Sequence, residues 1–326
     1  MHPVLITIIK RLLLGLFTLF LVTLIIFGSI SFLPGDFTQA VLGQAALEET
    51  VAAFRKELGL DQPLYIRYFN WISGVLHGDL GVSFSGRAAS GMDRSRDVME
   101  LISPRLYNTV FLATFTAIIA VPVSLFLGVT AALFRNSIYD RTVSTTTLTA
   151  ISIPEFFMAY ILILILSTFN KFFPSISNVS ADMELVERIY RTALPALTLT
   201  LVIVAHMMRM TRAAIINLLA NPYIEMAQLK GLPAYKIIIF HALPNAWAPI
   251  AQVIAINLAY MLIGSVVVEF VFNYQGIGRL MVGSVYNRDL PVVQACALIF
   301  ASTYVILNLI ADLIGIISNP RLLYPK

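Results

Sequence analysis

Carboxylates inside apolar runs are the residues of this sequence best placed for chemistry. Glu155 follows Pro154 well inside such a run, where a charge costs about 3 kcal/mol on insertion scales unless it faces water or a bundle interior. Both residues are therefore candidates for lining a solute path. The alternative is a carboxyl held by Ser and Thr side chains of neighbouring helices. Glu269 and Asp312 lie nearer the ends of apolar runs, which favours snorkelling to water or pairing between helices.

Residue sets for catalysis are missing from the sequence. His206 and His241 have no metal-like spacing to each other or to acids, so no metal site is expected. Neither the Gly-x-x-x-x-Gly-Lys-Ser/Thr nucleotide loop nor the Gly-x-Ser-x-Gly context of a nucleophilic serine occurs. The single cysteine, Cys296, lies in an apolar run and cannot form a disulfide within the chain. We therefore expect a protein that is not an enzyme, holds no cofactor and does not hydrolyse ATP by itself.

Composition places the chain in a membrane. Of its 326 residues, 58% are hydrophobic and 12% are charged, and several apolar runs reach the roughly 20 residues that cross a bilayer as a helix. The net charge of +4 comes from scattered Lys and Arg rather than from the dense basic patch of a nucleic-acid-binding protein. The sequence therefore predicts an all-α polytopic membrane protein that contacts lipid and does not bind nucleic acid.

Six apolar runs predict six transmembrane helices. They cover residues 12–33, 109–134, 143–169, 194–210, 248–270 and 292–317. Pro154 should bend the third, because proline removes a backbone donor. Lys and Arg of the short loops fall on one face, which the positive-inside rule makes cytoplasmic, so both termini are expected there. The first run is longer than that of a signal peptide and is expected to be retained.

Three regions follow from this pattern. Residues 1–33 form an N-terminal segment with the first transmembrane helix, residues 34–105 a periplasmic loop region, and residues 106–326 a core with five helices. Dense mixed charges exclude the loop region from the bilayer. Within it, apolar residues at helical spacing predict an amphipathic helix over residues 48–58 that stops at Gly59.

A polar, helix-prone hairpin over residues 221–246 interrupts the apolar pattern on the cytoplasmic side. Asn221 can cap its first helix, Glu225 lies near the positive end of the helix dipole, and Gly231 closes the helix. Three residues at helical spacing lie near one another, and the small central one would let another surface approach closely: Tyr223, Ala227 and Lys230. The pattern fits a docking helix, and equally a connector whose polarity only reflects water.

The hairpin and six further blocks resemble one known family. The hairpin reads Glu225-Met226-Ala227, then Gly231, then Leu243-Pro244. It is similar to the EAA loop of inner-membrane permease subunits of bacterial binding-protein-dependent ABC importers, in particular the dipeptide/oligopeptide/nickel permease family and its oligopeptide permease B-like members. The further blocks, in chain order, are Gly78-Asp79-Leu80-Gly81-x-Ser83, Ser152-Ile153-Pro154-x-Phe156, Val268-Glu269-x-Val271-Phe272, Gly276-x-Gly278-Arg279-Leu280, Asn287-Arg288-Asp289-x-Pro291-Val292-Val293-Gln294 and Asn319-Pro320-Arg321.

That resemblance implies a type I ABC importer permease fold in the bacterial inner membrane. It also implies a second, related permease, two cytoplasmic ATPases that bind ATP and Mg, and a periplasmic binding protein that delivers di- or oligopeptides. The hairpin would then be the coupling helix that docks on an ATPase, through Tyr223, Glu225, Ala227, Lys230, Gly231, Leu243 and Pro244. Import of nickel or another small solute by the same family, and ion-coupled secondary transport, are the alternatives.

Two periplasmic segments are expected to meet the binding protein, namely the first loop and residues 272–290. Their mixed charge suits a transient contact that electrostatic attraction guides. The residues expected to make this contact are Asp79, Asn273, Tyr274, Arg288 and Asp289.

Overall fold

The computed structural model describes residues 3–32, 38, 48–57, 59–85, 96–180 and 182–317. Most of this part of the chain is helix, and its β-pairing is an isolated bridge between Val82 and Asp97. The all-α prediction is confirmed. Residues 33–37, at the end of the first apolar run, and the block at residues 319–321 lie outside the described residues.

The helices are numbered in chain order. Within the described ranges they are α1 (Pro3–Ser31), α2 (Glu48–Glu57), α3 (Leu64–Leu76), α4 (Val98–Leu133), α5 (Ile138–Ser152), α6 (Glu155–Leu162), α7 (Leu185–Leu219), α8 (Pro222–Leu229), α9 (Ala234–Lys236), α10 (Leu243–Val271), α11 (Ile277–Tyr286) and α12 (Leu290–Ile317). Two π-helical segments continue them: Ile163–Phe169 extends α6, and Ile237–Ala242 joins α9 to α10. The amphipathic helix is present as α2, followed by Gly59 at a φ of 65°.

Five helical stretches among the described residues are long and apolar enough to cross a membrane. The polypeptide between α4 and α7 supplies a further candidate, because α5 and α6 pass the same test as a pair bent by 103° at their junction. The five unbroken stretches are Leu5–Ser31, Val98–Leu133, Leu185–Leu219, Ala234–Val271 and Leu290–Ile316.

The break between α5 and α6 has a local cause in the sequence. Ile153 is extended, with φ −90° and ψ 125°, because a residue before proline clashes with the ring in the helical region. Pro154 has a ψ of 141° and stands just before the first turn of α6. The predicted bend at Pro154 is confirmed, but two helices meet there at 103° instead of one helix bending.

The bent pair makes one crossing, because α4 and α7 run parallel. At one end of both helices the Arg188 guanidinium carbon lies 4.7 Å from the ring centre of Tyr107. At the other end, a β-carbon at Gly128 would stand 2.8 Å from Cβ of Thr211. The chain between two parallel neighbours has to return over the same distance, and α5 with α6 makes that return.

The two ends of the bundle lie on the same side. Arg11 near the start of α1 donates through Nη1 to Asp312 Oδ2 near the end of α12, over 2.9 Å. An even number of crossings is needed for this pairing. The prediction of six transmembrane helices with both ends on one side is confirmed, and Asp312 pairs between helices as expected. The positive-inside rule makes that side cytoplasmic.

Several helices extend well beyond the apolar runs that predicted them. Residues 98–133 replace the predicted 109–134, residues 185–219 replace 194–210, and the run that ends at Val271 begins at Ala234 instead of residue 248. Hydropathy marks the part of a helix that lies in hydrocarbon. The hydrogen-bonded helix continues into water, where charged side chains cost little, so hydropathy alone predicts these helices too short.

Replacing Gly128 by valine should separate α4 from α7. The added β-carbon would stand 2.8 Å from Thr211 Cβ and 3.0 Å from the Met208 carbonyl oxygen, and overpacking of this kind costs about 1–3 kcal/mol. The buried Cys296, the only cysteine of the sequence, should then react with a thiol probe at a lower temperature. Gly28→Val is the control, since nothing lies within 4 Å of a β-carbon there. Equal behaviour of the two variants would contradict the close contact.

Candidate coupling surface and periplasmic site

The hairpin begins with α8, which follows α7 after a two-residue turn. Pro222 occupies its first turn, where the absent N–H is tolerated, and Glu225 lies in that turn as predicted. Asn221 stands at the N-cap position, but its side chain does not cap α8. Instead its Nδ2 donates to the carbonyl oxygen of Leu218 over 2.9 Å. The expected cap is therefore corrected: the Asn221 side chain closes the end of α7.

Gly231 ends α8 in a Schellman motif. Its φ of +73° lies in the left-handed region, which glycine adopts without a steric penalty. Gly231 N donates to the carbonyl oxygen of Gln228 over 2.8 Å, and Leu232 N donates to that of Ala227 over 3.3 Å. These two bonds satisfy carbonyl groups that the end of a helix otherwise leaves free. The helix thus closes at Gly231, as the sequence predicts.

One face of α8 is buried against the rest of the hairpin. Ile224 and Ala227 pack with Ile237 and Ala242 of the second π-helical segment. The close approach expected at Ala227 is therefore made inside this chain, because a larger side chain would push α8 away from that segment. A contact of Ala227 with a partner stays a prediction.

The opposite face of α8 is exposed and mixed in character. Met226 is 56% exposed and Leu229 76%, beside the exposed Tyr223, Glu225 and Lys230. Exposed apolar side chains that are bordered by charges are typical of a surface that a partner covers. The sequence reasoning missed Met226 and Leu229, although their three-residue spacing from Tyr223 was the available signal.

Leu243 and Pro244 lie inside a continuous helical run instead of at its end. That run extends over 38 residues, from Ala234 to Val271, and Pro244 stands in the first turn of α10. The wider π-helical turns just before it leave room for a ring that would clash in an α-helix. No helix ends at Pro244: the second half of the hairpin is the cytoplasmic extension of a membrane helix.

A buried ion pair ties the cytoplasmic end of α7 to the start of α5. Arg212 donates from Nε and Nη2 to the two carboxylate oxygens of Asp140, each over 2.7 Å. Asn136 N donates to the same carboxylate over 2.9 Å, and Asp140 is 3% exposed. Such a planar, two-bond pair fixes orientation as well as distance. The sequence shows both charges in cytoplasmic turns but gives no signal that they pair.

Glu155 begins α6 beside the backbone of α10. It lies in the first turn of its helix, where the dipole favours a carboxylate. A β-carbon at Gly264 would stand 3.1 Å from both carboxylate oxygens. Within the described ranges no Ser or Thr hydroxyl holds this carboxylate. The place of Pro154 and Glu155 on a solute path stays a prediction.

Glu269 is fully buried at the periplasmic end of α10. Thr109 Oγ1 donates to its Oε1 over 2.6 Å, and Arg279 N donates to its Oε2 over 3.1 Å. The second donor belongs to the N-terminus of α11, whose free N–H groups and dipole favour an anion. Of the two expectations for Glu269, pairing between helices is found and snorkelling to water is not, because α4 and α11 supply the donors that water would have supplied.

Two glycines make this arrangement possible. A β-carbon at Gly276 would stand 2.3 Å from the carboxylate carbon of Glu269, and one at Gly278 would stand 2.6 Å from Cα of Val266. A side chain at either position would displace the carboxylate or the helix. The spacing of Gly-x-Gly after Val-Glu in the sequence thus has a steric reason.

Of the five residues expected to meet a binding protein, two are buried, namely Tyr274 and Asp289. Tyr274 is fully covered, and its hydroxyl donates to the carbonyl oxygen of Asn108 over 2.9 Å. Burial raises the pKa of this hydroxyl, which keeps it a donor. Asp289 is 1% exposed and accepts bonds from the Ser83 hydroxyl and from Phe84 N. An exposed contact role does not fit these two residues, which instead hold periplasmic loops together.

The other three remain accessible. Asp79 and Arg288 are exposed. Asn273 is half-buried at a φ of 56°, and its carbonyl oxygen accepts from Arg279 Nη1 over 2.9 Å. Their contact with a binding protein stays a prediction.

Comparison with known proteins decides the family. Residues 124–324 match the family model described as binding-protein-dependent transport system inner membrane component, and residues 4–113 match the model of the N-terminal part of such membrane components. The chain belongs to this family. It is a multi-pass permease of the inner membrane, and a permease of this kind is not itself an enzyme.

Relatives match the permease along its length. It is 34% identical over 318 residues to the probable peptide ABC transporter permease protein y4tP of Sinorhizobium fredii, covering 97% of this chain and 99% of that protein. It is also 34% identical over 317 residues to the glutathione transport system permease protein GsiC of Escherichia coli K12, covering 97% of this chain and 98% of that protein. GsiC of Salmonella typhi matches with the same identity and coverage.

The two matched regions of the permease meet at its periplasmic end. Thr109 belongs to the N-terminal match and Glu269 to the other, and the hydrogen bond between them joins α4 to α10. Ser83 and Asp289 join the same two regions. The periplasmic end of the permease is therefore built jointly by both parts of the chain.

Substitutions at Glu269 and Gly276 should have non-additive effects on stability, because the two residues are in steric contact. Glu269→Ala leaves buried donors without an acceptor, at about 1–3 kcal/mol each, and Gly276→Ala brings a β-carbon to within 2.3 Å of the carboxylate. In the double variant that clash is absent. The loss should therefore be smaller than the sum of the two single losses, by about 0.5–3 kcal/mol.

The transition temperature for thiol labelling of Cys296 in purified permease measures this coupling. Glu269→Gln is the matched control, since it keeps an acceptor of similar shape and should retain most of the stability. Strictly additive shifts of the alanine variants would show that the carboxylate and Gly276 do not meet.

Proposed function

We propose that this permease is one of two membrane subunits of an ATP-driven importer that carries peptides across the inner membrane. The observation that carries the proposal is α8, a short, firmly closed helix whose exposed face lies on the cytoplasmic side. The names of the relatives, a probable peptide permease and glutathione permeases, support peptides as the cargo. A second, related permease would complete the path.

In this proposal two cytoplasmic ATPases bind ATP and Mg and hold α8 in a groove. The sequence has no nucleotide loop of its own, so work has to enter through a contact surface. Tyr223, Met226 and Leu229 would fill the groove, while Glu225 and Lys230 make polar contacts at its edge. Closure of the two ATPases would then displace α8.

The contacts of the hairpin indicate how that displacement reaches the membrane helices. α8 packs on the π-helical segment that leads into α10, and α10 meets α6 where Gly264 faces Glu155. A second route runs through α7, because Arg212 holds Asp140 at the start of α5. Both routes end at the bent pair of α5 and α6. We infer that this pair changes its bend as the path opens and closes, with Pro154 and Glu155 at the point of movement.

On the other side, a periplasmic binding protein would deliver the peptide. Asp79, Asn273 and Arg288 are the accessible residues of the predicted contact segments. Opposite charges on both partners would guide a transient encounter.

Transport by reconstituted vesicles tests the proposed function. Vesicles that contain this permease, its partner permease, both ATPases and the binding protein should take up a labelled peptide when ATP is present, without any ion gradient. Uptake that follows a proton or sodium gradient, and is indifferent to ATP, would instead establish ion-coupled secondary transport.

A substitution at Gly231 should uncouple ATP hydrolysis from uptake. Nothing lies within 4 Å of a β-carbon there, so the effect comes from the backbone: a β-branched residue at a φ of +73° is strained by about 1–2 kcal/mol. Gly231→Val should reorient α8 and lower peptide uptake per ATP hydrolysed by about tenfold.

Gly231→Asn is the matched control, because asparagine tolerates the left-handed region; it should keep most of the coupling. Membrane insertion of each variant is checked by the protection of Cys296 from a thiol probe. Equal uptake per ATP in the valine variant and the parent protein would remove α8 from the coupling mechanism.

A further inference from the structure

A cavity of about 330 Å³ opens at the periplasmic end of the permease. It lies between the first turns of α4, the helix α11 and the start of α12. Seven polar residues contribute to its lining: Ser85, Arg105, Gln275, Arg279, Ser284, Asn287 and Asp289.

Two guanidinium groups share the cavity, and their charges repel one another. Arg105 is half-buried and makes no hydrogen bond or ion pair among the described residues. Arg279 donates from Nη1 to the carbonyl oxygen of Asn273 over 2.9 Å, which leaves its other guanidinium donors available. Arginine presents its donors as a planar fork, and both forks thus have capacity for an acceptor from outside the chain.

The nearby carboxylates do not accept hydrogen bonds from the free guanidinium donors of Arg105 and Arg279. Glu269 accepts from Thr109 Oγ1 and from the backbone N of Arg279, so its bond to Arg279 does not involve the guanidinium. The acceptor sites of Asp289 are used by Ser83 Oγ and by the backbone and side chain of Ser85. Both acids offset the local charge without forming an ion pair with either arginine.

We propose that this cavity binds the terminal carboxylate of the peptide cargo, with Arg105 as its main partner and Arg279 as the second. The proposal rests on the proposed function, since it names the part of the cargo that this end of the permease recognises. Guanidinium–carboxylate pairs form two parallel, charge-assisted hydrogen bonds. The amide and hydroxyl groups of Gln275, Ser284 and Asn287 suit the adjoining peptide unit.

The shape of the site favours a small cargo over a protein surface. The arginines line a concavity whose volume of about 330 Å³ accommodates the last residue of a peptide, and convergent polar groups in a concave site are typical of small-ligand recognition. Arg288, which is exposed outside this lining, is better placed for a flat contact with a binding protein.

Direct binding tests the proposal without ATP or a binding protein. The permease pair in lipid nanodiscs is titrated with tritiated trialanine and with trialanine amide, which lacks the terminal charge. We expect the free acid to bind at least about tenfold more tightly than the amide. Arg105→Gln should abolish that difference, and Arg105→Lys, which keeps the charge but not the fork, should retain part of it.

Arg96→Gln is the matched control, because it removes the same charge from an exposed periplasmic position outside the lining. It should leave the preference for the acid intact. Protection of Cys296 from a thiol probe shows that each variant is folded. Equal binding of acid and amide by the parent pair would overturn the proposal, as would an unchanged preference in Arg105→Gln.

Uptake by the complete importer shows whether the cavity binds the terminal carboxylate of the peptide or an acidic side chain of the binding protein. With the binding protein saturated by either peptide, Arg105→Gln should slow uptake of trialanine at least about tenfold and leave the amide unaffected. If both cargoes slow equally while the variant binds the binding protein more weakly, the cavity serves an acidic side chain of that protein and the proposal fails. An importer that moves neither peptide with ATP contradicts the proposed function, whereas the nanodisc titration still decides this inference.

Discussion

The buried carboxylate of Glu269 is the constraint on which the periplasmic end of the permease depends. A carboxylate removed from water is costly unless hydrogen-bond donors replace the lost hydration. Here the donors come from Thr109 and from the N-terminus of α11, so the chain has to turn sharply after α10 and bring a helix start onto the carboxylate. Gly276 and Gly278 are the residues that allow this approach. The same turn buries Tyr274 and carries Arg279 into the cavity beside α4.

A comparable device at the cytoplasmic end relies on backbone geometry. Gly231 reverses the chain after α8 through its left-handed conformation, and the returning segment covers Ile224 and Ala227. α8 is thereby held by apolar packing on one side and presents the other to a partner. Because its anchor is the helix that becomes α10, a force on the exposed face acts on a membrane helix directly. The polar hairpin and the transmembrane bundle are in this sense one mechanical unit.

Hydropathy and local chain chemistry predict the fold well and the site only in part. Six apolar runs gave the six crossings, Pro154 the break, and Gly59 and Gly231 the helix ends, since each of these depends on residues close in sequence. The burial of Glu269 depends on donors 160 and 10 residues away, and that of Asp289 on a loop 206 residues away. Such contacts leave no periodic pattern. Because Glu269 lies near the end of an apolar run, the sequence alone left open that water solvates its carboxylate. In the fold, hydrogen-bond donors of the protein surround it instead.

α7 gives the two ends a common support. Its periplasmic part carries Arg188 against the ring of Tyr107, and its cytoplasmic part carries Arg212 in the ion pair with Asp140. At 1.5 Å per residue these two arginines stand roughly 36 Å apart along the axis. Much of the surface between them is buried, as Met207 and Met208 illustrate, and close-packed helices shift as rigid bodies more readily than they deform. A tilt imposed at the hairpin therefore has to reappear at the periplasmic mouth or be absorbed by the bent pair, which is the one crossing among the described helices that is already broken.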